Sequence, residues 1–134
     1  MTKSAILIQG QDTYIKNLYE FYKDNNSIVS GELGLVFSSW EESKTLQIGN
    51  TKLKKKPINP GYGNSNLQFY GCYKGCKFIK SLGYDYLIKI RSDFLISDID
   101  KLISALDKNC VYFLAWHNWD SGYFVDYIVA GPTN

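Results

Sequence analysis

Apolar runs of strand length alternate with helical stripes along this chain, and that alternation limits the fold more than any other feature. "KSAILIQG" reads as a strand ending at Gly10. "DTYIKNLYEFYKDN" then sets Tyr14, Leu18, Phe21 and Tyr22 on one helical stripe, with Asp12 or Thr13 as cap. "ELGLVFSSWE" reads as a second strand and "KTLQIGN" as a short third, followed by a Lys-, Pro-, Gly- and Asn-rich loop, "TKLKKKPINPGYGNSN". "LQFYGCYKGCKFIKSLG" has a helical stripe of Leu67, Tyr70, Tyr73, Phe78 and Leu82. Gly71 and Gly75 each weaken that helix by roughly 1 kcal/mol relative to Ala, and Gly83 is a natural stop. "YLIKIRSDFLI" is the next strand, "SDIDKLISALDKN" a short helix capped by Ser97 or Asp98, and "CVYFLAWHNW" and "YFVDYIVAGP" the last strands.

Strands separated by helical crossovers predict an α/β fold with a mainly parallel sheet and helices on both faces. Strands near residues 4–9, 34–38, 86–91 and 111–115 are expected to share it. Ligands of such sheets sit beyond the carboxyl ends of the strands. Polar residues collect there: Gln9 and Gly10 after the first strand, Ser38, Ser39, Trp40 and Glu41 after the second, and Arg91, Ser92 and Asp93 after the fourth. A carboxylate at a strand end can hold a divalent cation, which in turn binds a diphosphate. An arginine beside it can clamp phosphate oxygens in bidentate geometry. Asn64, Asn66 and Gln68 supply amides near a helix start for sugar or ribose hydroxyls, and Trp40 can stack on a base or sugar ring. These are the parts that a nucleotide-sugar site needs.

Bulk properties exclude several alternatives. A chain of 134 residues is most simply one domain. Its net charge of +2 is too small to argue for nucleic acid. No stretch approaches the roughly 18 apolar residues of a membrane span, and "MTKSAILIQG" is a first strand rather than a signal peptide. The three cysteines, Cys72, Cys76 and Cys110, form no even framework and fit a reducing cytoplasm. Cys72 and Cys76 share a helix face but make only half a zinc site, and small buried helix residues explain them better.

Five segments in order, "ILIQG", "VFSSWE", "NSNLQFYGCYKG", "YLIKIRSD" and "DYIVAG", resemble the WavE-type lipopolysaccharide-synthesis glycosyltransferases, a GT-A-like group. The resemblance covers most of the chain and rests on order and spacing. It implies a Rossmann-like GT-A nucleotide-sugar transferase fold, of which residues 1–134 are the donor-binding part, either as a single domain or as the N-terminal portion of a longer enzyme. It also implies transfer of a sugar from a nucleotide-diphospho-sugar donor to a surface polysaccharide or other glycan acceptor, in the cytoplasm or at the inner membrane surface. Residue by residue, Gln9 and Gly10 match the first loop lining the nucleotide, Trp40 and Glu41 the second strand-end segment, and Asn66 and Gln68 the helix facing the nucleotide. Asp93 matches the acid that faces metal or diphosphate, and Asp126 an acid with no assigned role. The family's Mg²⁺ or Mn²⁺ is put in doubt because Arg91 stands where Asp-x-Asp has its first acid. The chain also ends at "AGPTN", about where an acceptor-binding part should begin, so apolar surface is expected around the last strand.

Plainer readings stand beside these. Arg91 and Asp93, two apart on a strand, also suit a structural ion pair. Asn64, Asn66 and Gln68 also suit a solvated helix start. Trp40, Trp116 and Trp119 also suit packing. His117 is a general-base candidate or a surface-loop residue. "KLKKKP" reads as a solvated loop, with contact to phosphate or an anionic membrane as the alternative. A non-catalytic nucleotide- or sugar-binding module remains the competing function, because fold does not fix function.

Overall fold

The computed structural model describes residues 2–10, 12–40, 50–62, 65–113, 116–117, 123–124 and 128–134. In chain order these form β1 (Ser4–Gln9), α1 (Asp12–Tyr22), α2 (Asn26–Val29), β2 (Leu33–Trp40), β3 (Asn50–Lys54), α3 (Ser65–Ser81), β4 (Tyr86–Arg91), α4 (Ile99–Ala105), β5 (Tyr112–Phe113), β6 (Trp116–His117), β7 (Tyr123–Phe124) and β8 (Ile128–Pro132). The main sheet has the order β3-β2-β1-β4-β8-β5, and β6 and β7 form a separate pair.

Strand β1 is central and every residue of it is buried, as its unbroken apolar run requires. Alternation sends its side chains to two cores. On one face Ile6 and Ile8 pack with Phe37, Ile88, Ile90, Ile15, Leu18 and Tyr22 of α1, and Ile99 of α4. On the other, Ala5 and Leu7 pack with Val36, Leu87 and Ile79 of α3. Gly75 of α3 is needed for that second core: a Cβ there would lie 2.6 Å from Leu7 Cδ2. Tyr22 ties α1 to the segment after β4, donating from its hydroxyl to the Ile96 carbonyl and accepting from the Ile96 N–H, both at 3.0 Å. Asp98 caps α4 by accepting from Lys101 N–H at 2.9 Å.

The sheet is mixed, which overturns the expectation of a mainly parallel, Rossmann-like GT-A sheet. Parallel pairing is confined to β3–β2, β2–β1 and β1–β4. Pairings β4–β8, β8–β5 and β6–β7 are all antiparallel. The cause lies in the last third of the chain. A parallel return needs a crossover of a dozen or more residues, usually a helix. Beyond α4 there is none among the described residues: "CVYFLAWHNW" contributes two short strands, β5 and β6, to different sheets instead of one. Strand β8 therefore comes back antiparallel, wedged between β4 and β5. Within β8, Ala130 and Gly131 are buried and Ile128 and Val129 half-buried, while residue 127 lies outside the described residues.

Two smaller corrections concern β3 and α1. Residues 51–54, expected in a loop, belong to β3 and pair with β2; the residues 44–49 expected to precede them as a strand lie outside the described residues. The first helix stops at Tyr22, and Asn25 then caps α2 by accepting from the N–H groups of Ser27 and Ile28.

Candidate functional site

Strands β1, β2 and β4 are parallel, so their carboxyl ends lie together. Gln9 pairs in register with Ser38 on one side and with Arg91 on the other. The chain then turns through Gly10, which is stitched to both neighbours. Gly10 N–H donates to the Ser38 carbonyl at 3.3 Å, and Ser39 Oγ donates to the Gly10 carbonyl at 3.2 Å. Ser92 N–H donates to the Gln9 carbonyl at 2.8 Å. Gly10 has φ of +147°, and a Cβ on it would lie 2.9 Å from Ser92 Cβ, so this turn fits only glycine.

Over this floor opens a crevice of about 330 Å³. Gln9, Gly10 and Ser38 lie beneath it, Tyr14 of α1 and Trp40 border it, and the first turns of α3 contribute Leu67 and Gln68. Lys89, Arg91, Ser92 and Asp93 complete the lining.

Three features decide its chemistry. First, Lys89 is a cation only 4% exposed, in the middle of β4. Alternation places it on the same face as Leu87, which α3 covers, so it is buried where it lines the crevice. Second, Arg91 and Asp93 form a bidentate pair, Nε to Oδ1 at 3.0 Å and Nη2 to Oδ2 at 2.8 Å. The Arg91 guanidinium holds the Asp93 carboxyl below its ordinary range, against the opposing effect of partial burial. Third, Gln9 Nε2 donates to the Gln68 carbonyl at 3.2 Å, which fixes the amide orientation and leaves Oε1 buried without a hydrogen-bond partner. Buried polar atoms are normally paired, so an acceptor is on offer at the crevice floor.

Of the residues predicted from sequence, Gln9, Gly10, Trp40, Gln68, Arg91 and Asp93 come together here. Asn66 does not. It is exposed, and its amide donates to the Asn59 carbonyl at 3.1 Å, holding the preceding loop against α3. Glu41, Asn64, Trp119 and Asp126 lie outside the described residues, and His117 is placed in β6. Ser38 and Ser92, expected at the strand ends, also line the crevice, whereas Tyr14 and above all Lys89 were not foreseen there. A lysine inside "YLIKIR" was the available signal, since a cation in an otherwise apolar run is costly to bury.

Among the described residues no three His, Cys, Asp or Glu side chains gather. Both oxygens of Asp93 accept from Arg91, so the guanidinium sits where a cation would have to bind. Cys72 and Cys76 are 3.9 Å apart, and their mutual hydrogen bond and burial push the Cys76 thiol up, away from a ligating thiolate. None of the described helices is long and apolar enough to cross a membrane.

Neither a family profile nor a curated protein matches this chain.

Proposed function

We propose that the crevice binds a nucleotide-diphospho-sugar, and that the chain is a glycosyltransferase or the donor-binding part of one, acting toward a polysaccharide or other glycan. The observation that carries this reading is the convergence of Lys89 and Arg91 with the unpartnered Gln9 Oε1 at one set of strand ends. Among the described crevice residues the cations Lys89 and Arg91 outnumber the acid Asp93, which suits an anionic ligand, and the low exposure of Lys89 strengthens its attraction to one. Trp40 and Tyr14 border the same space and suit a planar ring. Gln9 Oε1, an acceptor only, suits a hydroxyl or N–H of the ligand and repels phosphate oxygen. The resemblance of "NSNLQFYGCYKG" and "YLIKIRSD" to the WavE-type enzymes supports the same ligand class.

A second reading, a binding module without catalysis, is favoured by one observation. The only acid among the described crevice residues, Asp93, is engaged on both oxygens by Arg91 and so is poorly placed to take a proton. Turnover separates the two readings. Incubation with a panel of nucleotide sugars, with and without a glycan acceptor, should release nucleoside diphosphate if the first is right. Saturable donor binding without any release would establish the second.

A further inference from the structure

The positive charge of this chain is segregated. Between Glu42 and Asp85 there is no acidic residue, and those 42 positions carry eight lysines. With a chain total of +2, the remainder is at −6. Five of these lysines, Lys55, Lys56, Lys74, Lys77 and Lys80, lie on α3 and the loop before it. On α3, residues Asn66, Phe69, Tyr73, Lys77 and Lys80 are exposed at helical spacing, while Gly71, Gly75 and Ile79 turn inward. Phe69 is 76% exposed. Lys77 Nζ donates to Tyr73 Oη at 3.0 Å and lies over that ring, which keeps its charge on the same outer stripe. Lys74 similarly lies over the Tyr70 ring.

The loop before α3 joins this stripe. Asn66, which begins it, receives its place from two bonds: its N–H donates to the Pro60 carbonyl at 2.9 Å and its amide to the Asn59 carbonyl at 3.1 Å. The loop is thereby held beside the stripe, and it brings Ile58 and Tyr62, both fully exposed, and Lys55 and Lys56, also exposed. An exposed face joining Ile, Phe and Tyr side chains to lysines, with no acid among them, has the composition of an interfacial membrane surface.

We propose that the outer face of α3 and the 55–62 loop dock on an anionic lipid surface. The aromatic and aliphatic tips enter the headgroup layer, and Lys55, Lys56, Lys74, Lys77 and Lys80 meet the lipid phosphates. Lysine-edged β-strands commonly serve only to block strand pairing, but that role does not reach α3, which is a helix. A nucleic-acid surface fits less well: the segment has no arginine, the usual partner for bidentate phosphate and base contacts, and Ile58 offers no ring to stack. The proposal is independent of what the crevice binds, which lies on the strand-end side of α3.

Co-sedimentation with vesicles tests it. One set is phosphatidylcholine alone, and the other contains a quarter phosphatidylglycerol. The protein should partition onto the anionic vesicles only, and less at high salt. Replacing both Lys77 and Lys80 by Gln should lower partitioning roughly 25-fold, at about fivefold for each surface lysine. The Lys55→Gln, Lys56→Gln pair should do the same, which guards against a folding defect in either. Phe69→Ser with Tyr62→Ser should also release the protein. No partitioning onto anionic vesicles, equal partitioning onto neutral ones, or sensitivity to the lysine changes with none to Phe69→Ser and Tyr62→Ser would each overturn the proposal. The last outcome would mark the face as a general polyanion binder.

Discussion

Replacing Gly10 by Ala tests how the crevice floor is built. Two costs act there. The backbone φ of +147° lies where side chains other than hydrogen are strained, at about 1–3 kcal/mol. The added Cβ also lands on Ser92, 2.9 Å from its Cβ and 3.4 Å from its backbone N. Ser92 is buried and its N–H is bonded to the Gln9 carbonyl, so it has little room to retreat, and overpacking adds about 1–3 kcal/mol. A loss of about 2–6 kcal/mol is expected. Gly31 provides the reference: its φ is +82°, but nothing lies within 4 Å of its would-be Cβ. Gly31→Ala should cost only about 1 kcal/mol, the backbone part alone. Urea unfolding of both variants measures this. With a slope of about 1–3 kcal/mol per molar urea, a 3 kcal/mol loss moves the midpoint by about 1–3 M. Equal midpoints for the two variants would refute the reasoning, because they would mean that Ser92 exerts no steric demand on Gly10.

Tyr22→Phe should cost about 2 kcal/mol, read by the same unfolding assay, because it strands the N–H and carbonyl of Ile96 that the hydroxyl now satisfies. Asp93→Asn should cost less than about 1 kcal/mol near neutral pH, since the pair is substantially exposed and screened. Arg91 lowers the Asp93 carboxyl in the folded state, so its contribution is fully present above the ordinary value of 3.8 and is lost as pH falls through the lowered folded value. The stability gap between wild type and Asp93→Asn should therefore close on acidification below that range, and a gap that widens there would reverse the assigned sign. Gly75→Ala should be destabilising despite the better helix propensity of Ala, because the methyl meets Leu7; a helical stabilisation seen by thermal melting would show that Leu7 yields freely.

Much of the parallel half of the sheet was legible in the sequence, for physical reasons that differ by element. Strand β1 and strand β4 are apolar runs punctuated by polar ends, so their limits at Gln9 and Arg91 follow from burial itself. Asp98 announced α4 because a carboxylate one residue ahead of an amphipathic run satisfies an otherwise open N–H. The last third resisted. "CVYFLAWHNW" has strand propensity throughout, and propensity cannot say that Tyr112–Phe113 and Trp116–His117 pair with different partners. Direction is a property of the connection, and that is why the antiparallel β8 was missed. In the site, the strand-end residues were readable from the polar punctuation of each run. Lys89 was not, because its burial depends on α3 covering its side of the sheet. Asn66, which bonds to the Asn59 carbonyl, was ambiguous in the sequence because its residue type suits a ligand and a loop carbonyl equally well.

The central claim is that the ends of β1, β2 and β4 form an anionic-ligand site, and calorimetric titration with a panel of nucleoside diphosphates tests it most directly. At least one member should bind saturably at one site. Lys89→Met and Arg91→Ala should each weaken that binding roughly tenfold or more, as expected for loss of a hydrogen bond to a charged group. Lys77→Gln, on the outer face of α3, should leave it unchanged. Absence of binding across the panel, or affinity untouched by both Lys89→Met and Arg91→Ala, would contradict the account.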